Sequence, residues 1–554
     1  MAGSSVAERN RLLSVLPFLL LGAAMVVATV FYLHIGRDTT YFAEEWVYFS
    51  SGVDSAKLID PLNGHLLIVV MGLYNLVFQT IGDSYLAIRL LALGLELLAV
   101  GLFFHLLRVR IGPWAALPLA VLFLFFGPGW GVVWGPPGIL NMTASSAGFG
   151  MLIMLERHTL KRDVAACALL TIAVGTFGLG VVFAVAAAAD VWLRGQAERW
   201  KRAWVVAIPI LLYLIWEVWA RSAHPESADR TKLSNIGHAP EVVAESFGGV
   251  ATALIGVMHL PGDPVLSEEA HLSWLVGIVF LIGIAFLVWR NRRSLRPSFW
   301  PYLLLPLSFW VLVSLTGEPP VIDRYLYPGS MFLVLFVAEV LVGKRIPLPA
   351  ILVTAAVCAF AIFTSNSMLK DGSGYIRDIS GVTLAEFSAL ELVRDQVADD
   401  FLVPPPAGGP LPFITASDYF AAQRAYGTPA YPPSELPQAS EVARDGADQT
   451  LVAALEVAPR ALAGAAPSPE ACLHFDPAKA KAGAVVNLPP GGFALHAPAE
   501  TSITLRRYGD TFAAPVESAP GSGWFEVLIP RDRSSKQWHG NFTSLGELEV
   551  CRLP

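Results

Sequence analysis

The chain has 554 residues, 54% of them hydrophobic and only 15% charged, with a mean hydropathy of +0.55. That composition excludes an ordinary soluble globular protein and points to one that crosses a membrane many times. Residues 1–366 hold 24 Lys+Arg against 23 Asp+Glu, a net of +1, whereas residues 367–554 hold 14 against 22, a net of −8. A near-neutral membrane body therefore precedes an acidic, water-soluble tail, and no basic patch suits nucleic acid.

The first apolar run, Leu12 to His34, is longer than a signal-peptide core and no cleavage site follows it, so it reads as an uncleaved span. A first loop, residues 37–83, comes next. It opens with "YFAEEWVYFSS", where Glu44 and Glu45 stand among aromatics, and continues through "DPLNGHLL", which holds Asp60, Asn63 and His65. A short apolar helix over 65–81 reads as juxtamembrane. Further runs of membrane length are 84–107, 113–127, 141–155, 164–193, 203–220, 272–289, 298–316, 324–342 and 347–366. The run 164–193 exceeds one crossing. Gly175, Gly178 and Gly180 mark a hairpin that splits it into two short membrane helices.

Lys and Arg in short loops orient such a body. With the N-terminus in the cytoplasm, Arg108 and Arg110, "ERHTLKRD" (156–163), "RGQAERWKR" (194–202), "RNRRSLR" (290–296) and "GKR" (343–345) all fall on the cytoplasmic side. The expectation is an α-helical polytopic membrane protein of about 11 transmembrane helices plus juxtamembrane helices. The loop 37–83, the aromatic stretch "GPGWGVVWGPPG" (127–138), the long loop 221–271 and the tail then lie outside. The body is residues 1–366, and an extracytoplasmic α+β tail follows. Residues 367–469 alternate helical patterns, such as 384–402 and 440–459, with Pro-rich loops. Residues 470–554 change to short alternating runs with Gly/Pro turns, the pattern of a small β-domain. Cys472 and Cys551 bracket that last part, and a disulfide between them suits an oxidising compartment. Tyr508 and Trp538 with neighbouring arginines could face a sugar, but ordinary sheet packing is the better reading.

Chemistry on this topology is extracytoplasmic. No P-loop and no glycine-rich nucleotide fingerprint is present, and nucleotide-sugars are cytoplasmic, so an energised substrate has to be in the membrane already. Candidate residues are Glu44 and Glu45, Asp60, Asn63, His65, Arg89 near the start of the second span, Arg221, and Arg324 with Tyr325 in "IDRYLYP". An arginine within a span is costly and calls for a partner or a role. The glutamates could equally begin a surface helix near its positive end. Glu96 lies deeper and reads as a cross-helix partner. The stretch 127–138 reads as an interfacial aromatic belt.

The arrangement of a first span, an outer loop with the acidic pair in "FAEEWVYF", "PLNGHLL" running into a juxtamembrane helix, "SYLAIRLLALGLELLAV" and "RYLYP" resembles the GT-C superfamily of integral-membrane glycosyltransferases. These include protein mannosyltransferases, aminoarabinose transferases and cell-wall arabinosyltransferases. The resemblance covers residues 10–366 and points to a bacterial, actinobacterial-type branch with a C-terminal outer domain. It implies a polyprenyl-phosphate-sugar donor, a glycan, glycolipid or protein acceptor, and an acidic residue in the first outer loop acting on the acceptor, so Glu44 or Glu45 as catalytic carboxylate. Two glutamates stand where the superfamily commonly has an Asp-containing pair, which leaves open which one acts and whether a metal binds. No cofactor is required by the sequence. A divalent metal would suit a carboxylate with His65 nearby, though no spacing demands one. Arg89 and Arg324, with Arg221 behind them, suit the donor phosphate. Asp60, Asn63, His65 and Tyr325 are further substrate-binding candidates. The implied location is a bacterial plasma membrane. The competing readings are a lipid or polysaccharide transporter or flippase, and a non-catalytic envelope-assembly protein that retains the fold.

Overall fold

The computed structural model describes residues 2–52, 55–193, 199–225, 232–258, 274–406, 409–410, 412–519, 521 and 523–553. Parts of the loop 221–271 and of the basic link 194–202 lie outside these. The helices, in chain order, begin with α1 (Ala2–Ile35), α2 (Glu45–Ser51), α3 (Ile68–Ile81), α4 (Tyr85–Ile111), α5 (Pro113–Leu124), α6 (Trp130–Trp134) and α7 (Pro137–Leu155). There follow α8 (Leu160–Val174), α9 (Leu179–Leu193), α10 (Arg199–Arg202), α11 (Trp204–Ala223), α12 (Ala239–Leu254) and α13 (Trp274–Asn291). The last are α14 (Phe299–Thr316), α15 (Asp323–Val340), α16 (Leu348–Leu392), α17 (Ala416–Tyr426), α18 (Glu441–Ala454) and α19 (Pro477–Ala482). The chain divides into two compact units, Met1–Arg37 with Asp54–Tyr375, and Asp38–Val53 with Ile376–Pro554.

The first unit is a helical membrane body. Among the described residues six helices are long and apolar enough to cross a bilayer: α1 over Ser14–Ile35, α4, α7, α11, α14 and α16. The bent pair of α5 with Gly127–Trp134 brings this to as many as seven. The protein is thus a multi-pass membrane protein, and among the described residues fewer helices than the expected 11 have full spanning length. Two reasons are visible. The run 164–193 does break between Val174 and Leu179, and the resulting α8 and α9 have 15 residues each, about 22 Å of helix against a hydrocarbon core of about 30 Å. Helix α15 includes the charges of Asp323, Arg324 and Glu339 within its 18 residues. Apolar side chains such as Val26, Val30, Leu211, Val218, Val353 and Phe363 are turned outward, where lipid and not water is the natural neighbour.

Polar contacts mark out two ends of this body. At one end the termini of α4, α7, α14 and α15 are tied by Arg110, whose Nε lies 2.6 Å from Glu339 Oε2 and whose Nη2 lies 3.6 Å from Glu156. Ser298 donates to the same Glu339 carboxylate. Nearby, Arg202 makes a fork of bonds to Asp163, the shortest 2.7 Å. The basic segments 157–162, 199–202, 290–296 and 344–345 follow or precede these helix ends. Buried pairs of this kind gain by excellent geometry what their desolvation costs, and they lock register more than they add stability.

The opposite end is built around a break. Helix α5 stops at Leu124, and the following turn bends by 48° into α6. The carbonyls freed by that break need partners in a membrane. Tyr32 Oη donates to Leu124 O at 2.6 Å and Tyr327 Oη donates to Phe123 O at 2.8 Å. The aromatic stretch 127–138 is consequently not a surface belt. Trp130 and Trp134 are buried, and Trp134 Nε1 donates to Leu369 O at 2.8 Å. Gly131 is pressed against Asp323, whose carboxylate it meets through its N–H.

In the second unit the tail folds into helices and two antiparallel sheets. The strands are β1 (Pro459–Ala461), β2 (Cys472–Phe475), β3 (Ala484–Asn487), β4 (Gly491–Ala497), β5 (Thr501–Arg506), β6 (Ala514–Ala519), β7 (Gly523–Ile529), β8 (His539–Ser544) and β9 (Leu548–Arg552). Their orders are β1-β7-β4-β9-β2 and β3-β8-β5-β6. Phe493 of the first sheet meets Phe542 of the second edge to face, 5.2 Å between centroids. Cys472 and Cys551 face each other in the β2–β9 ladder and are joined by a disulfide. Helix α18 lies against β5 and β6, and its Asp448 accepts the backbone N–H groups of Arg507, Tyr508 and Gly509 at 2.7–3.0 Å. Tyr508 and Trp538 are buried beside Arg507, so they pack the domain and present no sugar platform.

Candidate functional site

The acidic loop belongs to the second unit. Tyr41, Trp46, Tyr48 and Phe49 are all but fully buried. Trp46 meets Phe387 at 4.3 Å, Phe387 stacks on Tyr419 at 4.3 Å, and Phe49 meets Tyr426 at 6.4 Å. Ser380 Oγ also donates to Thr40 O. These aromatics form a protein core that fixes the loop from below. Asp38 and Ala43 are held at φ values of 67° and 51°, a region that side-chain-bearing residues rarely adopt and that persists where surroundings enforce it.

The two glutamates differ sharply. Glu45 is 3% exposed, and its Oε2 accepts the N–H of Phe42 at 2.9 Å. It closes the turn that enters α2. Glu44 is half-buried, and its backbone carbonyl accepts the N–H groups of Val47 and Tyr48. Burial together with both carboxylates pushes the Tyr48 phenol well above its ordinary range, so Tyr48 stays a neutral hydrogen-bonding group beside them.

In the first unit Arg89 projects from the second turn of α4. Its guanidinium lies 4.4 Å from the centroid of the Trp134 ring, a cation–π seat. Among the described residues it has no carboxylate within ion-pair distance. Gly36 lies against it so closely that a Cβ there would come within 2.1 Å of Arg89 Nη2 and 2.5 Å of Trp134. Arg89, Tyr32, Glu96 and Met142 line a narrow cleft of about 20 Å³, enough for one or two waters. Glu96 is 5% exposed at its inner end, with Oε1 lacking a partner among the described residues. The cross-helix group it meets is the Tyr327 hydroxyl.

The other candidates are occupied locally. Arg324 Nη2 donates to Glu318 Oε2 at 2.6 Å, and Tyr325 Oη donates to the same oxygen at 2.5 Å. Arg221 forms an exposed pair with Glu217 one helical turn away, worth little in water. Asp60 lies 3.5 Å from His224 Nε2. Asn63 and Gly64 sit at φ 53° and 74°, with Leu62 and His65 exchanging backbone hydrogen bonds around them. That is the Asn-Gly tight turn, so Asn63 shapes the backbone here. The His65 ring packs on Phe177 at 4.6 Å, against the α8–α9 break. The contacts 36–89–134, 131–323, 312–178–65 and 60–224 are four separate local groups, each at helix ends remote from Arg110.

Sequence reasoning passed over Glu318, Trp134, Tyr32 and Gly36. Only Trp134 had a local signal, the Gly/Pro/Trp composition of its stretch. Among the described residues the group of possible metal ligands whose atoms lie close together is Cys472, Glu549 and Cys551, and its two sulfurs are joined.

No protein-family model matches the chain, and no curated protein matches it. Among solved structures, ArnT from Cupriavidus metallidurans bound to undecaprenyl phosphate is similar with a TM-score of 0.44 and 14% identity, over 70% of this chain and 82% of that one. Its apo state gives 0.46 and 13%, over 73% and 84%. The archaeal oligosaccharyltransferase AglB from Archaeoglobus fulgidus, in complex with an inhibitory peptide and a dolichol-phosphate, gives 0.42 and 14%, over 74% and 63%. At these values the likeness concerns the course of the backbone and carries no argument about chemistry.

Proposed function

We propose that this protein is a glycosyltransferase that moves a sugar from a polyprenyl-phosphate donor to an envelope glycan, glycolipid or protein acceptor on the extracytoplasmic face of a bacterial plasma membrane. The observation that carries the reading is Arg89, an arginine in an apolar helix with no ion-pair partner among the described residues, its guanidinium 4.4 Å from the Trp134 ring centroid. Keeping such a cation in a membrane segment is expensive, and a negatively charged ligand is what repays it. A guanidinium suits a phosphate by its planar, bidentate geometry. The opposite end of the body carries the short basic links, which supports a cytoplasmic assignment for that end and an external one for Arg89.

The chemistry then needs few groups. Displacement at the anomeric carbon passes through an oxocarbenium-like state, and the phosphate leaves without a proton. One carboxylate is enough, to take the proton of the acceptor hydroxyl. The acidic pair supplies it, and we assign the role to Glu44, which is half-buried where Glu45 is 3% exposed. Such a base contributes about 10²–10⁴-fold. Arg324 is a second phosphate ligand only if it leaves Glu318. Chelation with EDTA decides the part of a divalent cation: transfer that survives it assigns charge stabilisation to arginine alone.

The test is transfer of labelled sugar from a polyprenyl-phosphate donor by wild type, Glu44→Gln and Arg89→Ala. Glu44→Gln is expected to lose transfer while keeping donor binding, and Arg89→Ala to weaken donor use more than acceptor use. Wild-type rates in Glu44→Gln, or equal losses for both substrates in Arg89→Ala, would remove these roles.

A further inference from the structure

The first unit has a further feature at the end remote from Arg89. Helix α4 begins with Arg89 in its second turn and runs 27 residues to Ile111. Helix α5 starts directly after it, so Trp114 stands at the far end of α4. Between α5 and the start of α16 runs an apolar groove of about 610 Å³, lined by Trp114, Pro118, Val121, Leu352 and Ala355, with Cys358 buried in its wall. From Leu348 to Ile362 the groove follows α16 for roughly 21 Å, somewhat more than one leaflet of a hydrocarbon core about 30 Å thick. That shape takes a chain laid along it.

The mouth is basic. Lys344 and Arg345 lie just before the first turn of α16, both exposed and without an ion-pair partner among the described residues. Arg296 comes within 3.8 Å of a Cβ built at Gly343, beside them. Arg110, by contrast, is consumed by Glu339. Both α5 and α16 start at this mouth, so two helix N-termini add positive potential. Trp114, 37% exposed, supplies the amphipathic ring typical of a headgroup boundary.

We propose that this groove is a binding site for an anionic phospholipid, one acyl chain along α5 and α16 and the headgroup phosphate against Lys344 and Arg345. Charge complementarity selects this occupant: a second copy of the chain would bring its own basic loop to the same mouth, cation against cation. The site is separate from the donor reading, and neither depends on the other.

The experiment is native mass spectrometry of the full-length protein in mild detergent, offered phosphatidylglycerol or phosphatidylcholine with identical acyl chains, alongside thermal melting in the same lipids. Two cations near a headgroup predict a preference for phosphatidylglycerol of roughly thirtyfold, with a matching rise in Tm. Lys344→Gln/Arg345→Gln, on an exposed loop, is expected to abolish the preference while leaving the unliganded Tm unchanged. Ala355→Trp, which fills the groove, is expected to lose retention of both lipids. Equal retention of the two lipids by wild type, or an undiminished preference in the double variant, would overturn the proposal. So would a dimer mass that disappears in Ala355→Trp, or displacement of phosphatidylglycerol by equimolar polyprenyl phosphate.

Discussion

Glu44 and Glu45 are neighbours in sequence and differ in surroundings. From the sequence the pair was legible as a site, but not which member could act, because the choice depends on the turn at Phe42–Glu45. That turn rests on Ala43 at positive φ, which no residue type announces. Glu45→Ala removes the acceptor of the part-buried Phe42 N–H and is expected to cost about 1 kcal/mol, read as a lower Tm. Glu45→Gln retains an acceptor oxygen and is expected to keep both Tm and transfer. A Glu45→Gln variant that is well folded but inactive would reverse the assignment. At Arg89 the sequence signalled an expensive charge but not its seat on Trp134, forty-odd positions along the chain. Arg89→Lys keeps the charge and loses the planar, bidentate guanidinium. The expected result is a donor KM raised about tenfold with kcat little changed, measured by steady-state transfer.

Elements were readable wherever a local pattern was uncontested. The short apolar helix expected over 65–81 is observed as Ile68–Ile81, and the glycine-marked break at 175–178 separates α8 from α9. The helix pattern at 440–459 forms Glu441–Ala454, while Ala416–Tyr426 had no strong signal. The end of the last long helix was hidden. The expected span ends at 366 and a separate helical pattern begins at 384, yet α16 runs unbroken from Leu348 to Leu392. Gly372 is there because Trp130 packs where its Cβ would be, at 2.4 Å. Well past the apolar stretch, α16 carries Glu386, 2% exposed, with Oε2 lacking a partner among the described residues. Burial pushes its carboxyl up to about 8. The folded state therefore holds a proton that the unfolded chain releases near its ordinary value of 4.5. The resulting stabilisation is full below that value and is lost as pH rises through about 8. Thermal melts from pH 5 to pH 9 should show Tm falling across this window, and Glu386→Gln should flatten the slope. An unchanged slope in that variant would place the titration elsewhere.

For the whole molecule, composition alone separated an apolar body from an acidic tail, and alternation with Gly/Pro turns indicated β-structure near the C-terminus. The grouping of residues 38–53 with the tail was not legible. It rests on Trp46, Phe49, Phe387, Tyr419 and Tyr426 packing together, and hydropathy cannot pair residues so far apart in sequence. Within the five-stranded sheet a disulfide joins Cys472 and Cys551, 79 residues apart in sequence. Closing a loop of that length contributes roughly 4–5 kcal/mol in the chain-entropy model. Cys472→Ala/Cys551→Ala is therefore expected to lower the denaturant midpoint of the tail's unfolding, followed by tryptophan fluorescence, and a reductant should have no further effect on that variant.

The proposed activity requires that this membrane protein break a sugar–phosphate bond and not merely carry a lipid across. The most direct measurement reconstitutes the full chain in sealed vesicles with a labelled polyprenyl-phosphate sugar and an envelope acceptor fraction, and follows free polyprenyl phosphate by mass spectrometry. Polyprenyl phosphate is expected to appear in step with glycosylated acceptor, and neither product with Glu44→Gln. Movement of intact donor between leaflets without release of polyprenyl phosphate, unaffected by Glu44→Gln, would contradict it.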